Sequence, residues 1–328
     1  MKITLDHGGG GRKTDELISK IFQPHLNSPE LMKREDGGIF EHSFVISTDT
    51  FVVTPIFFPG GNIGDLAIAG TINDLASMGA EPRYFSFGFV LEEGLDTSDL
   101  EKILKTMEDL IKELKIEVLA ADTKVIEAHK KENPGLYINS TGIGRIYRPV
   151  LGRDSIKPGD GIIVTGAVGE HGFAVLSHRL SLSSTIKSDT RPLWPLIKKL
   201  LDNVQVKFMR DPTRGGIAQV LNEIVDQMSF GIEIFEEKIP VKPEVQGLSE
   251  LLGIDPLEVA NEGNMVIIVA KELVDEALNI LHSHPFGSDA AFIGEVSEEH
   301  PGMVLTVNTY GARRILYRPV GTKLPRIC

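Results

Sequence analysis

The stretch IGDLAIAGTINDLASMGA, residues 63–80, decides how the first half of the chain is read. It is rich in alanine and other small residues and carries few polar ones, so it reads as a buried helix that stops near Gly79. The neighbouring segments supply layers to bury it. FVISTDTFVV (44–53) reads as a strand, and SDLEKILKTMEDLIKELK (98–115) is the clearest helix of the chain. In that helix Leu100, Ile103, Leu104, Met107, Leu110, Ile111 and Leu114 fall on one stripe, with Ser98 and Glu101 placed as a capping box. Strand candidates follow around 116–125 and 137–148. At the start, KITL (2–5) reads as a strand, DHGGGGRKT (6–14) as a loop, and Leu17, Ile18, Ile21 and Phe22 as one helix face.

The Pro/Gly-punctuated PVLGRDSIKPGDG (149–161) marks a boundary, which divides the chain into 1–150 and 151–317. The second part alternates strands (161–166, 230–235, 264–270, 290–296, 303–307) with helices (170–180, 215–228, 271–282). The fold class is therefore α+β with an α/β-like pattern, in two domains. Residues 318–328, RPVGTKLPRIC, have two prolines, a glycine and no periodicity, and read as a mobile tail.

Composition narrows the function. With 328 residues, 41% hydrophobic and 24% charged, the chain has a globular composition. No apolar run approaches a membrane span, and the opening residues lack a signal-peptide layout, so the cytoplasm is expected and a membrane is not. The net charge of −12 and the lack of a dense basic block argue against nucleic acid. Cys328 is the single cysteine, so no internal disulfide forms.

Several segments suggest chemistry, each with a plainer alternative. HGGGG (7–11), followed by Arg12 and Lys13, misses the P-loop pattern because Arg12 stands where glycine precedes the lysine. It is either a turn or a flap in which Gly9, Gly10, Arg12 and Lys13 close over phosphates. Asp49, Asp65, Asp74, Asp122 and Asp211 recur among small residues, with Asn73 beside Asp74. Each alone reads as a cap; converging from separate loops, such carboxylates suit Mg²⁺. Lys124, two residues after Asp122 in a strand-like run, shares its face and is either a solvated lysine or a cation for developing negative charge. Glu262, ahead of an apolar strand, is a turn residue or a general base. The histidines lack the companions of a zinc site, and the glycine-spaced turn GAVGEHG (166–172) is weak as a nucleotide motif. Cys328 is an unselected end residue or a tether for a covalent group, with Arg326 nearby to favour thiolate.

Taken together, TDTFVVTPIFFPGGNIGDLAIAGTINDLASMGA (48–80), ADTKV (121–125), RDPTRGG (210–216), NEG (261–263) and PRIC (325–328) resemble the HypE family of hydrogenase maturation proteins. That family belongs to the aminoimidazole ribonucleotide synthetase and selenophosphate synthetase superfamily. The resemblance implies a first domain that forms a β-barrel across a homodimer and binds ATP with Mg²⁺. It implies a terminal cysteine carbamoylated by a partner carbamoyltransferase, dehydrated to S-cyanate at the expense of ATP, and unloaded onto the iron of a scaffold complex of two further maturation proteins. On that basis Cys328, Glu262 and Lys124 are the expected catalytic residues. Asp49, Asp74 and Asp211 are the expected metal ligands. Gly9, Gly10, Arg12, Lys13, Asn62, Asp65, Asn73 and Asp122 are the expected nucleotide contacts. The rival readings are a kinase or synthetase of the same superfamily acting on a free small molecule, and a non-catalytic thiol carrier.

Overall fold

The computed structural model of the protein describes residues 2–26, 28–129, 134–321 and 327–328. Helix α1 (Arg12–Leu17) runs into one π turn, Ile18–Phe22. Next come strands β1 (Gly38–Phe40) and β2 (Phe44–Phe51), a small hairpin of β3 (Phe57–Phe58) and β4 (Gly61–Asn62), and helix α2 (Ile63–Ser77). The first half ends with β5 (Ala80–Glu92), α3 (Thr97–Leu114), β6 (Glu117–Ile126) and β7 (Leu136–Ile146). The second half contains β8 (Gly161–Val164), α4 (Glu170–Arg179), α5 (Trp194–Leu201), β9 (Val206–Arg210), α6 (Gly216–Val225) and β10 (Gly231–Phe235). It closes with α7 (Pro243–Leu252), β11 (Val266–Val269), α8 (Val274–His282), β12 (Ala291–Ser297), β13 (Val304–Val307) and β14 (Arg313–Ile315).

As its composition requires, α2 is buried on nearly every side; only Asp65 and Asp74 escape full burial. It lies on the inner face of a mixed five-stranded sheet ordered β1-β2-β7-β5-β6. Small residues let it sit close: a Cβ on Gly70 would meet the Phe51 ring at 2.8 Å. Gly79 ends it at φ +70°, where a Cβ would strike the Arg148 carbonyl. The second half forms a seven-stranded sheet, β14-β13-β10-β12-β8-β11-β9. The α+β reading stands. The first sheet is open among the described residues, its edges being β1 and β6, so a barrel requires a second copy.

One hydrophobic cluster crosses the two halves, running from Val45, Phe51 and Leu66 to Trp194, Leu196 and Met265. The cleft between the halves is thus walled by a shared core. A second cluster, with Ile162, Phe208, Ile224 and Ile268, fills the other side of the large sheet.

Some local expectations differ. Residues 2–5 form no strand; a 3₁₀ turn covers Leu5–Gly8. The cap of α3 is Asp96, whose carboxylate accepts from the Ser98 N–H at 2.7 Å, so the Ser98/Glu101 box is not the cap. Of the expected mobile tail, residues 322–326, including Arg326, lie outside the described residues. Its described parts are held: the Pro319 and Val320 carbonyls accept from Arg12 and Lys13 N–H, and Ile327 is buried.

Candidate functional site

The cleft gathers carboxylates from three elements. Asp74 comes from the last turn of α2, Asp36 from the segment before β1, and Asp211 from just past the end of β9. One oxygen of each lies within 4.8 Å of the others. Burial and then the neighbouring carboxylates, Asp49 among them, hold Asp74 and Asp211 well above the usual range for an aspartate. The Ser47 hydroxyl donates to Asp74, and Arg210 pairs with Asp36 at 3.0 Å, Glu35 at 2.9 Å and Glu223 at 2.9 Å. Three hard oxygen donors crowded together suit a divalent cation such as Mg²⁺. Beside them opens a cavity of about 1230 Å³, lined in part by Asp36, Ser47, Thr48 and Arg210.

Glu262 stands next to this cluster, 1% exposed. Its backbone is fixed from two sides. The Asp189 carboxylate accepts from the Glu262 and Gly263 N–H groups, each at 3.1 Å, and the Asn73 amide donates to the Glu262 carbonyl at 3.1 Å. Burial first, then Asp211, Asp189 and Asp49, push its carboxyl well above the ordinary glutamate range, with Arg214 acting in the opposite direction. Its Oε1 has no hydrogen-bond partner among the described residues. Cys328 reaches the same place. One oxygen of its terminal carboxylate accepts from the Val52 N–H at 3.1 Å, and its thiol lies near enough to Glu262 for the two groups to influence each other's protonation. Burial and Glu262 raise that thiol well above its usual value while Arg214 opposes them, so the docked residue is a thiol.

The remaining candidates fall in three groups. The glycine-rich loop covers the site: Gly10, at φ +76°, packs so tightly on Arg214 that a Cβ would lie 2.6 Å from its carbonyl oxygen. Within this loop Gly9 closes the 3₁₀ turn, Arg12 opens α1, and Lys13 pairs with Asp6 instead of projecting into the cleft. Three expected nucleotide contacts make hydrogen bonds within the fold. Asn62 and Asp65 cap α2 reciprocally: Asn62 accepts from Gly64 N–H at 2.8 Å, and Asp65 accepts from Asn62 N–H at 2.8 Å. Asn73 is 0% exposed and spends its amide on the backbone of the second half, donating to Arg191 and Glu262 and accepting from Leu193.

Asp122 and Lys124 form an exposed ion pair on β6. Phe51, Ile138, Phe89 and Thr123 make one row across the sheet. Lys124 is thus three strands, about 14 Å, from β2, and alternation turns it and Asp122 to the face opposite α2. Within one chain Lys124 is not brought to Cys328.

Two residues of the site escaped the sequence reading. Asp36 sits in KREDGGIF (33–40), a charged run that looks like solvated surface. Arg214 lies within the RDPTRGG segment already singled out for its aspartate, and the two glycines that follow the arginine were the available signal.

Comparison with known proteins defines the family. Models of the N-terminal and C-terminal domains of AIR synthase related proteins match residues 34–146 and 157–306. The chain is therefore a two-domain protein of the AIR synthase related class. Carbamoyl dehydratase HypE of Rhizobium leguminosarum bv. viciae is 43% identical over all of this chain and 95% of its own length. A structure of a HypE–HypF complex superposes with a TM-score of 0.87 at 41% identity, covering 92% of this chain and 99% of that one. HypE in complex with ATP gives 0.82 at 38% identity, with both chains covered completely. The chain belongs to the HypE carbamoyl dehydratase family.

Proposed function

We propose that the protein uses ATP to dehydrate an S-carbamoyl group on Cys328 to S-cyanate, the cyanide donor for the iron of a nickel–iron hydrogenase. The observation that carries this is the docking of the sole cysteine against a buried, conformationally fixed glutamate at the edge of a carboxylate cluster. Names and titles of relatives support it: carbamoyl dehydratase for the activity, and the ATP complex for the co-substrate.

An amide oxygen is a poor leaving group, and phosphorylation changes that. The carbamoyl oxygen attacks the γ-phosphorus and ADP departs. Glu262 removes one proton from the carbamoyl nitrogen, and the second leaves with the phosphate as the nitrile forms. Arg214 balances the negative charge that shifts onto the carbamoyl oxygen. Asp36, Asp74 and Asp211 would hold Mg²⁺, which neutralises phosphate charge; Asp49 stands alongside them. The glycine-rich loop over Arg214 limits water, which would otherwise intercept the phosphorylated intermediate.

The expected partner is a carbamoyltransferase, for which the HypE–HypF complex is the precedent, with an iron-carrying scaffold complex as acceptor. A homodimer fits the edge strand β6, whose residues are all exposed and include Val118, Leu119, Val125 and Ile126. Pairing there brings in Lys124 from a second copy. Among the described residues no helix is long and apolar enough to cross a membrane, and the cytoplasm is the proposed location. A free-substrate kinase leaves the docked cysteine without a task, and a passive carrier leaves Glu262 without one.

The test is mass spectrometry of the tail after incubation with the carbamoyltransferase, carbamoyl phosphate and ATP. Cys328 should gain a carbamoyl and then a cyano group, and Cys328→Ala should bind ATP but turn over nothing. ATP hydrolysis by Cys328→Ala on adding a soluble small molecule would refute the proposal in favour of the kinase.

A further inference from the structure

The turn GAVGEHG matched no nucleotide motif, yet it places a histidine where the tail ends. His171, in the first turn of α4, is 0% exposed. A buried imidazole needs partners of the right polarity at both nitrogens. Nε2 lies 2.7 Å from the Ile327 carbonyl oxygen, and Nδ1 lies 2.8 Å from the Ser188 hydroxyl. A carbonyl only accepts, so Nε2 carries the proton and Nδ1 accepts from Ser188. The Ser188 oxygen in turn accepts from the Thr190 N–H at 3.0 Å and from the Thr190 hydroxyl at 2.6 Å. Every proton in the chain from Thr190 to Ile327 then has one donor and one acceptor. Phe58 packs edge-on to the ring at 5.3 Å and fixes its plane. Burial pushes the imidazole down to about 4, against the pull of the Ile327 bond and with help from Arg179, so the ring is neutral at physiological pH.

This pocket holds backbone and side chain together. The Ile327 side chain is buried in the shared core, its carbonyl is bound by His171, and a terminal carboxylate oxygen of Cys328 is bound by the Val52 N–H. Two successive main-chain oxygens are therefore pinned from opposite halves of the chain, and the sulfur of the residue they flank stands near Glu262. A tail that also has to visit a partner needs a docked position defined to a few tenths of an ångström, because a proton transfer to Glu262 tolerates little more.

We propose that His171 is the positioning residue of the tail: a neutral imidazole that holds Ile327 through its Nε2–H and thereby sets the Cys328 sulfur against Glu262. It rests on the reading of Cys328 as the residue that carries the reacting group.

The test compares His171→Phe, which keeps the ring and loses both nitrogens, with His171→Gln, which restores a donor. Two rates are measured: alkylation of the sole cysteine by iodoacetamide, and single-turnover cyanation of protein already carbamoylated. One lost neutral hydrogen bond changes the docking equilibrium roughly five- to tenfold. His171→Phe should therefore alkylate faster and cyanate more slowly, the two fold-changes multiplying to about five- to tenfold, with ATP affinity unchanged and both rates largely recovered in His171→Gln. Ile327→Gly unseats the tail from its own end, by removing the buried side chain while leaving α4 intact; it should shift both rates in the same directions even where His171→Phe folds poorly. Wild-type alkylation rates in His171→Phe and Ile327→Gly would overturn the proposal, as would equal losses in His171→Phe and His171→Gln. If wild-type protein is never cyanated while the alkylation differences persist, the dehydratase reading fails and the docking role stands.

Discussion

Asn73 offers the sharpest separation between a nucleotide ligand and a structural bolt. Its side chain makes three hydrogen bonds, to the Arg191 carbonyl at 3.2 Å, the Glu262 carbonyl at 3.1 Å and the Leu193 N–H at 2.8 Å. All are in the buried seam between α2 and the second half. Replacing Asn73 by alanine orphans the Arg191 carbonyl and the Leu193 N–H and leaves the Glu262 carbonyl only the Arg191 N–H at 3.5 Å. At about 1 kcal/mol for each neutral bond the cost is about 3 kcal/mol, or roughly 6–12 °C in unfolding midpoint. Asn73→Asp keeps the acceptor for Leu193 but turns a donor into an oxygen facing two carbonyls. It should be at least as unstable at neutral pH. Its carboxyl would be raised above the unfolded value by that environment, so stability returns below about pH 4 and is lost as pH rises through the folded value. Thermal unfolding across pH, with ATP binding by calorimetry well below the midpoint, reads both quantities. The bolt predicts a large stability loss and an ATP affinity within a few-fold of wild type. A variant as stable as wild type that binds ATP tenfold or more weakly would refute it.

Asp211→Asn removes one of three carboxylates whose mutual repulsion, at up to 4.8 Å, is worth about 3 kcal/mol per ionised pair. Because burial and its neighbours raise Asp211, its contribution is favourable below about pH 4 and lost as pH rises; in chelator the variant should be the more stable protein at pH 8 and match wild type near pH 4. Adding Mg²⁺ should stabilise wild type and leave the variant unmoved in the same melts. Glu262→Gln should retain ATP binding and accept carbamoyl on Cys328 but accumulate it, with cyanation down at least a hundredfold in quenched-flow mass spectrometry; unaltered cyanation removes Glu262 as the base. Lys124→Ala and Glu262→Gln, each inactive as homodimers, should recover activity when mixed if Lys124 acts across a dimer, and native mass spectrometry with a cyanation assay would detect it. Activity of Lys124→Ala alone would show that Arg214 suffices.

What was legible in the sequence depended on how local the signal was. A helix with no polar face announces burial through composition alone, which is why 63–80 read correctly before any sheet was known. Strand β5 did not, because Pro82 and Gly88 interrupt its alternation and its pairing with β7 shifts register near Pro82. The spacing of Asn62 and Asp65 spelled a reciprocal helix cap, a local reading that needed no ligand at all. Asp36 was hidden for the opposite reason: charged neighbours make it look solvated, and only the approach of Arg210 from β9 shows that it is held inside.

The pair Asn73–Asp74 shows where sequence adjacency misleads. Successive residues on a helix point about 100° apart. Asp74 therefore turns toward Asp36 and Asp211, and Asn73 toward the loops of Arg191 and Glu262. Reading both as ligands treats neighbours in the chain as neighbours in space. Their divergence is what the site requires: one rigid helix carries an oxygen of the carboxylate cluster and, one residue earlier, the bolt that fixes the Glu262 backbone. The spacing between the Asp74 carboxylate and the anchored Glu262 backbone is thus set by adjacent residues of α2.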